Sequence, residues 1–200
     1  MEIVNKRKYI TKAKDSFKTK KNLFLFSLSI QGKLDFSDKS FHDFKITNEL
    51  VSIYSTEYWQ QPIDYKINEY TITDIYNSIV KLEKSEVDQL KRLENEYIQT
   101  FQTIFSESDF ETLLNNKCCH YCKITVQEIE ELSEKRLLYK KNFRGWSLEI
   151  DRLNSNYEYT PNNCVMACYW CNNAKTDEFT ESEFKEVGKI ITGIWKNRIK

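Results

Sequence analysis

Glycine and proline are scarce, at four and two in 200 residues. That excludes collagen-like, linker-rich and low-complexity chains, which depend on both. No apolar run approaches the ~20 residues that span a bilayer. The longest candidate, residues 23–30, is too short, and the stretch before it is too long and too charged for a secretory signal. A cytoplasmic protein with no membrane partner is the expectation. Net charge is also absent, with 30 basic and 30 acidic residues, so the chain lacks the overall signature of a general nucleic-acid binder. Of its two histidines, His42 stands alone among aromatics and reads as structural. What is present is a 40% hydrophobic content with twelve Phe and twelve Tyr, enough to bury the core of one domain or two small ones.

The charges are unevenly placed. Residues 1–21 carry eight Lys/Arg against two Asp/Glu, a balance of +6. Residues 22–117 carry nine against sixteen, or −7, and residues 118–200 carry thirteen against twelve, or +1. The first segment reads either as a basic arm that tracks phosphates or as a solvated terminus.

Six cysteines all fall after residue 117, and four of them form two C-x-x-C pairs, Cys119-His-Tyr-Cys122 and Cys168-Tyr-Trp-Cys171. Two residues between cysteines let both thiolates of a tight turn face one ion, and two such turns complete a tetrahedral Zn²⁺ site. Disulfides and buried free thiols are the alternatives, and disulfides fit a reducing compartment poorly. Cys118 adjoins the first pair but breaks the C-x-x-C spacing with Cys122. Cys164 reads as a small buried residue in a strand. Four thiolates leave no open position, so this zinc would be structural.

Residues 119–177 resemble the HNH endonucleases, the ββα-metal fold, in its zinc-bearing branch. The resemblance rests on the order of C-x-x-C, a strand with Asp151, the central Asn163, a second strand, and the ending C-x-x-C-N-x-x-K at Cys171, Asn172 and Lys175. It implies an α+β fold, a mostly helical chain whose C-terminal ββα unit is stapled by a Cys₄ zinc. It further implies that Asp151 and Asn172 hold a catalytic divalent ion, Mg²⁺ or Mn²⁺, and that Asn163 orients the active strand or the attacking water. The chain departs from the family at Arg152, where a water-activating His is expected. A guanidinium stays protonated and cannot serve as a general base. It suits a bidentate clamp on a phosphate instead.

The base must then be sought elsewhere. Glu149 lies two residues from Asp151, so on a strand both carboxylates share a face, and Glu149 is a candidate base or second metal ligand as well as an ordinary surface residue. Tyr157, Tyr159 and His120 are further candidates. A second basic group, Lys140, Lys141 and Arg144, is a candidate phosphate contact or a solvated loop.

Along the chain, residues 22–30 (NLFLFSLSI) have β character and read as a strand. A turn at residues 31–33 leads into residues 34–36, and Thr47 or Asn48 caps a short helix. Pro62 marks a break. Apolar residues from Ile75 to Phe101 at spacings of three or four predict one helix over residues 72–104, capped by Thr73 or Asp74. A short helix follows over 109–115. Thr125/Glu128 and Thr180/Glu183 are capping boxes, opening helices to about residue 140 and through the C-terminus. Strands are expected over 147–153 and 164–167, with a short helix over 171–176.

These observations divide the chain into a basic arm (1–21), an α/β region of unknown role (22–117) and the HNH-like unit (118–200). Three functions compete: a metal-dependent DNA endonuclease whose residues 1–117 supply target or partner contacts, a protein partner being expected through 22–117; a catalytically inactive zinc-stabilised nucleic-acid-binding module; and a zinc-stabilised interaction protein.

Overall fold

A computed structural model describes residues 2–33, 36–138 and 144–200. The chain is mostly helical, with two small two-stranded sheets among the described residues. It divides into two compact units. None of the described helices is long and apolar enough to cross a membrane. The turn expected into residues 34–36 and the basic residues Lys140 and Lys141 fall wholly or partly outside the described residues.

The first unit comprises Glu2–Ile104 together with Asn156–Glu158. Its spine is α1 (Ile3–Ser29), followed by α2 (Asp38–Asp43), α3 (Asn48–Ser52), a π-helical turn over Ile53–Tyr58, a hairpin of β1 (Lys66–Ile67) and β2 (Tyr70–Thr71), then α4 (Ile72–Val80) and α5 (Lys84–Thr100). Residues 22–30 are therefore not a strand: all but Ile30 are helical. Leu23, Phe24, Leu25 and Phe26 are buried on every side of α1. A helix enclosed all round loses the amphipathic period, so its sequence looks like a buried strand. Phe24 packs edge-on against Phe36, Phe41 and Phe44, and Phe26 packs edge-on against Tyr54 and tilted against Tyr58.

The helix expected over residues 72–104 is two helices. Its N-cap is Thr71, whose hydroxyl accepts from Asp74 N–H while Asp74 reaches back to Thr71 N–H. Glu83 and Glu86 form a second such box and start α5 afresh, without proline or glycine at the break. The Tyr97 hydroxyl donates to Glu158 at 2.5 Å and lies 3.0 Å from Ser16 Oγ, which ties the 156–158 segment to α1 and α5. His42 lies 3.4 Å from Glu96 across α2 and α5, a structural pairing.

The second unit comprises Phe105–Ser155 and Tyr159–Lys200, with Met1 outside the described residues. It holds α6 (Glu107–Asn115), α7 (Val126–Glu134), β3 (Glu149–Arg152), β4 (Cys164–Ala167), α8 (Tyr169–Lys175) and α9 (Glu181–Ile199). Ser106 caps α6, two residues earlier than its sequence start suggests. α7 and α9 begin at the Thr125/Glu128 and Thr180/Glu183 boxes. α7 ends at Glu134, short of residue 140. β3 and β4 pair antiparallel, with Asp151 opposite Val165 and Arg152 opposite Cys164.

α9 braces the first cysteine turn. Thr192 Oγ1 donates to Cys122 O at 2.8 Å, and Gly188 sits where an added Cβ would meet the Tyr121 carbonyl at 2.8 Å. Gly193, on the exposed side of the same helix, has open space. Gly188→Ala is expected to destabilise the protein by about 2 kcal/mol through overpacking against backbone. Gly193→Ala is expected to stabilise it by up to about 1 kcal/mol through helix propensity. Chemical denaturation of the two variants checks both signs.

Candidate metal centre and carboxylate site

The two cysteine pairs sit at different structural corners. Cys119 and Cys122 flank a tight turn whose Lys123 takes a left-handed conformation at φ 60°. The turn is held by Cys119 N–H to Ile124 O, Lys123 N–H to Cys119 O, and His120 N–H to Met166 O on β4. Cys168 is the N-cap of α8, its sulfur accepting from Cys171 N–H at 3.5 Å. Chain pairing and helix capping therefore bring four thiols, distant in sequence, to one point.

All four are buried, and their sulfurs lie within 4.8 Å of one another. A tetrahedron with Zn–S bonds near 2.3 Å has sulfurs about 3.8 Å apart. Cys122 and Cys168 are 3.6 Å apart, so the donor set fits a metal such as zinc. The hydrogen bonds that the Cys168 and Cys171 thiols share with Cys119 and Cys122, and then burial, push both thiols up. A divalent cation removes that conflict, because thiolates are the ligand form. No disulfide joins any of the six cysteines. Cys164 is buried in β4, and Cys118 is half-buried.

Beside this cluster, β3 presents its carboxylates. Asp151 Oδ2 accepts from the Tyr121 hydroxyl at 2.7 Å and lies 3.7 Å from Lys175 Nζ. Lys175 is 1% exposed, and its ammonium also donates to Arg152 O at 3.0 Å. Burial pushes the Asp151 carboxyl up from its ordinary value, opposed by the Tyr121 hydroxyl and the Lys175 charge. Burial, with the bond to Asp151, likewise raises the Tyr121 phenol. Lys175 and Tyr121 thus hold Asp151 from two other elements. Sequence pattern marked Lys175 only as a motif ending. It gave no sign of Tyr121, whose role depends on the cysteine turn lying against β3.

Glu149 faces a different set. Arg144 grips both its oxygens at 2.8 Å, and Asn172 Nδ2 donates to Oε2 at 2.7 Å. The candidate ligand Asn172 is therefore bonded to Glu149, with its amide oxygen as the remaining donor to a cation. Arg144, expected as a phosphate contact, is an ion-pair partner within the site. Arg152 departs from expectation more sharply. Its guanidinium lies 4.7 Å from the Tyr159 ring centroid in a cation–π contact. Successive residues on a strand leave on opposite faces, so the two side chains do not share the carboxylate face.

Asn163 is a brace. Its Oδ1 accepts from Asn154 N–H and its Nδ2 donates to Asn154 O, both at 3.0 Å, closing the loop between β3 and β4. Of the other candidate bases, His120 Nε2 is 2.7 Å from Glu181, which also binds Lys185. Tyr157 pairs with Asn48 within the helical unit.

No family model matches the chain, and no curated protein matches it. Among solved structures it is similar to the rare-cutting HNH restriction endonuclease PacI, at 28% identity over 47% of this chain and 66% of that one, with a TM-score of 0.40. The chain thus spans just under two thirds of PacI, and a superposition this loose carries no argument about its chemistry.

Lys175→Met removes the cation from a half-buried carboxylate and a donor from Arg152 O. The expected loss is about 3 kcal/mol. A carboxyl whose folded-state pKa is raised favours the folded state when protonated, so the variant's stability falls as pH rises from mildly acidic to neutral, more steeply than that of the parent. Urea titrations at several pH values test the loss and its slope.

Proposed function

We propose that the chain is a metal-dependent, HNH-like endonuclease that hydrolyses DNA phosphodiester bonds. The observation that carries this reading is a half-buried carboxylate, Asp151, fixed by a buried lysine and a phenol at the edge of a strand–strand–helix unit that also carries Asn172 and a four-thiol cluster. A buried lysine set against a carboxylate and a phenol is the kind of cluster that marks a functional site. The motif order of the sequence supports the same reading.

The contacts support a division of roles. Cys119, Cys122, Cys168 and Cys171 would hold a structural zinc. Asp151 and the amide oxygen of Asn172 would hold a Mg²⁺ or Mn²⁺ ion, which would supply Lewis acidity to the scissile phosphate. Lys175 and Tyr121 set the orientation of the Asp151 carboxylate. Asn163 keeps the β3–β4 loop closed and so fixes the strand end. Glu149 is the candidate general base or a second ligand. Arg144 must leave Glu149 before that carboxylate takes a proton from water, and a phosphate group is a competing partner for its guanidinium. Arg152 would reach a phosphate only by leaving Tyr159.

A second reading keeps the same fold as a catalytically inactive DNA-binding module. It is favoured by the engagement of Glu149 by both Arg144 and Asn172. Supercoiled plasmid incubated with the protein and Mg²⁺ or Mn²⁺ separates the two. The nuclease reading expects metal-dependent nicking that Asp151→Ala abolishes and Glu149→Gln slows by at least about a hundredfold. Plasmid binding without nicking, in a folded protein, selects the binding module.

A further inference from the structure

The helical unit is acidic over most of its length, yet its longest helix is not. In α1, Arg7, Lys14, Lys18 and Lys21 recur with Thr11 at spacings of four, three, four and three. That spacing aligns them in a single stripe along the helix. The buried residues Tyr9, Ala13, Ser16 and Phe17 lie on the opposing arc, packed on the unit's core. Arg7, Lys14 and Lys18 are exposed and Lys21 is half-buried. None of the four joins an ion pair among the described residues. The acidic residue on this side, Asp15, is taken by Lys12 at 3.5 Å. Lys20, by contrast, turns inward over the Phe41 ring.

From Arg7 to Lys21 the helix rises about 21 Å. Duplex DNA presents one phosphate per strand every 3.4 Å of axis, so the stripe spans about six phosphates of one strand. An unneutralised row of cations on an otherwise acidic surface is complementary to such a row of anions. Apolar side chains reach solvent beside the stripe only near its start, at Ile3, Val4 and Ile10, and no aromatic residue joins it. An interfacial membrane helix requires a continuous apolar face, which this helix turns into its own core.

We infer that the Arg7–Lys14–Lys18–Lys21 face of α1 is a docking surface for the phosphate backbone of duplex DNA. The choice of DNA rests on the nuclease reading above, while the surface itself lies in the helical unit and binds without chemistry. Its contacts are to backbone, so they position the duplex and confer no sequence preference.

The test is fluorescence anisotropy with a labelled duplex of about two helical turns, across a salt series without added divalent metal. The variant is Arg7→Gln/Lys14→Gln/Lys18→Gln/Lys21→Gln, and the control is Lys66→Gln/Lys81→Gln/Lys84→Gln/Lys91→Gln, four exposed lysines elsewhere in the same unit. Circular dichroism confirms that both remain helical. Four lost phosphate contacts reduce the log–log salt slope by about 3.6. In the parent, those contacts cost roughly a hundredfold in affinity between 50 and 200 mM salt, a dependence the variant lacks and the control retains. An unchanged slope in the variant, an equal loss in the control, or no duplex binding by the parent overturns the proposal. So does binding to anionic phosphatidylserine vesicles that the variant loses while its duplex affinity is unchanged. Failure here leaves Asp151-dependent nicking intact, and failure of nicking leaves the salt slope measurable, so the two readings fall separately.

Discussion

The convergence of four thiols is the constraint on which the second unit depends. Cys122 and Cys168 are 46 residues apart, and closing such a loop in a flexible chain costs about 3 kcal/mol. Four buried sulfurs within van der Waals reach are a poor substitute for an apolar core unless a cation holds them. Once held, they fix three things together. The first cysteine turn is locked against β4 through His120 N–H, α8 is locked at its N-cap, and α9 is locked against the turn through Thr192 and Gly188. Tyr121 and Lys175 then have no freedom except to face Asp151 from the turn and from α8 respectively.

That geometry explains the electrostatic tension at Asp151. The strand buries much of a carboxylate, and most of the offset arrives from two other elements. A carboxylate with an ammonium and a phenol on the same oxygen is held in position by groups that the protein, rather than water, supplies. Glu149 is a more labile group, since its ion pair with Arg144 is largely exposed on the arginine side and is worth little in water. One strand therefore carries a fixed carboxylate and a releasable one.

Local rules made much of the second unit legible in sequence. β4 runs over the residues that its short apolar run indicates, because Asn163 and Cys168 bound it with loop-bracing and capping roles. The Thr125 and Thr180 boxes open their helices where Ser/Thr and Glu three residues apart predict. Where the sequence misleads, the cause is tertiary. Residues 22–30 look like a strand because α1 is enclosed there by Phe36, Phe41, Phe44, Tyr54 and Tyr58, none of which is near in sequence. The break after Val80 escapes a reading of apolar spacing, since the period resumes after only three residues and Glu83 is an unusual N-cap. Tyr121 could not be assigned its partner because that contact requires the cysteine turn to lie against β3, and Arg144 pairs with Glu149 five residues on, a spacing that no strand or helix period marks. Asn163 and Asp151 were marked by motif order alone, and their partners became visible only in the fold.

The central claim is that a metal held by Cys119, Cys122, Cys168 and Cys171 organises the carboxylate site. The most direct measurement is metal content together with amide hydrogen exchange, before and after removal of the metal by a chelator. The account predicts one zinc per chain, with protection lost over the β3–β4 pair, α8 and the Tyr121 turn on its removal, and protection in α1 and α5 retained. A metal-free protein as purified, with those segments already protected and unchanged by chelator or added zinc, would contradict it.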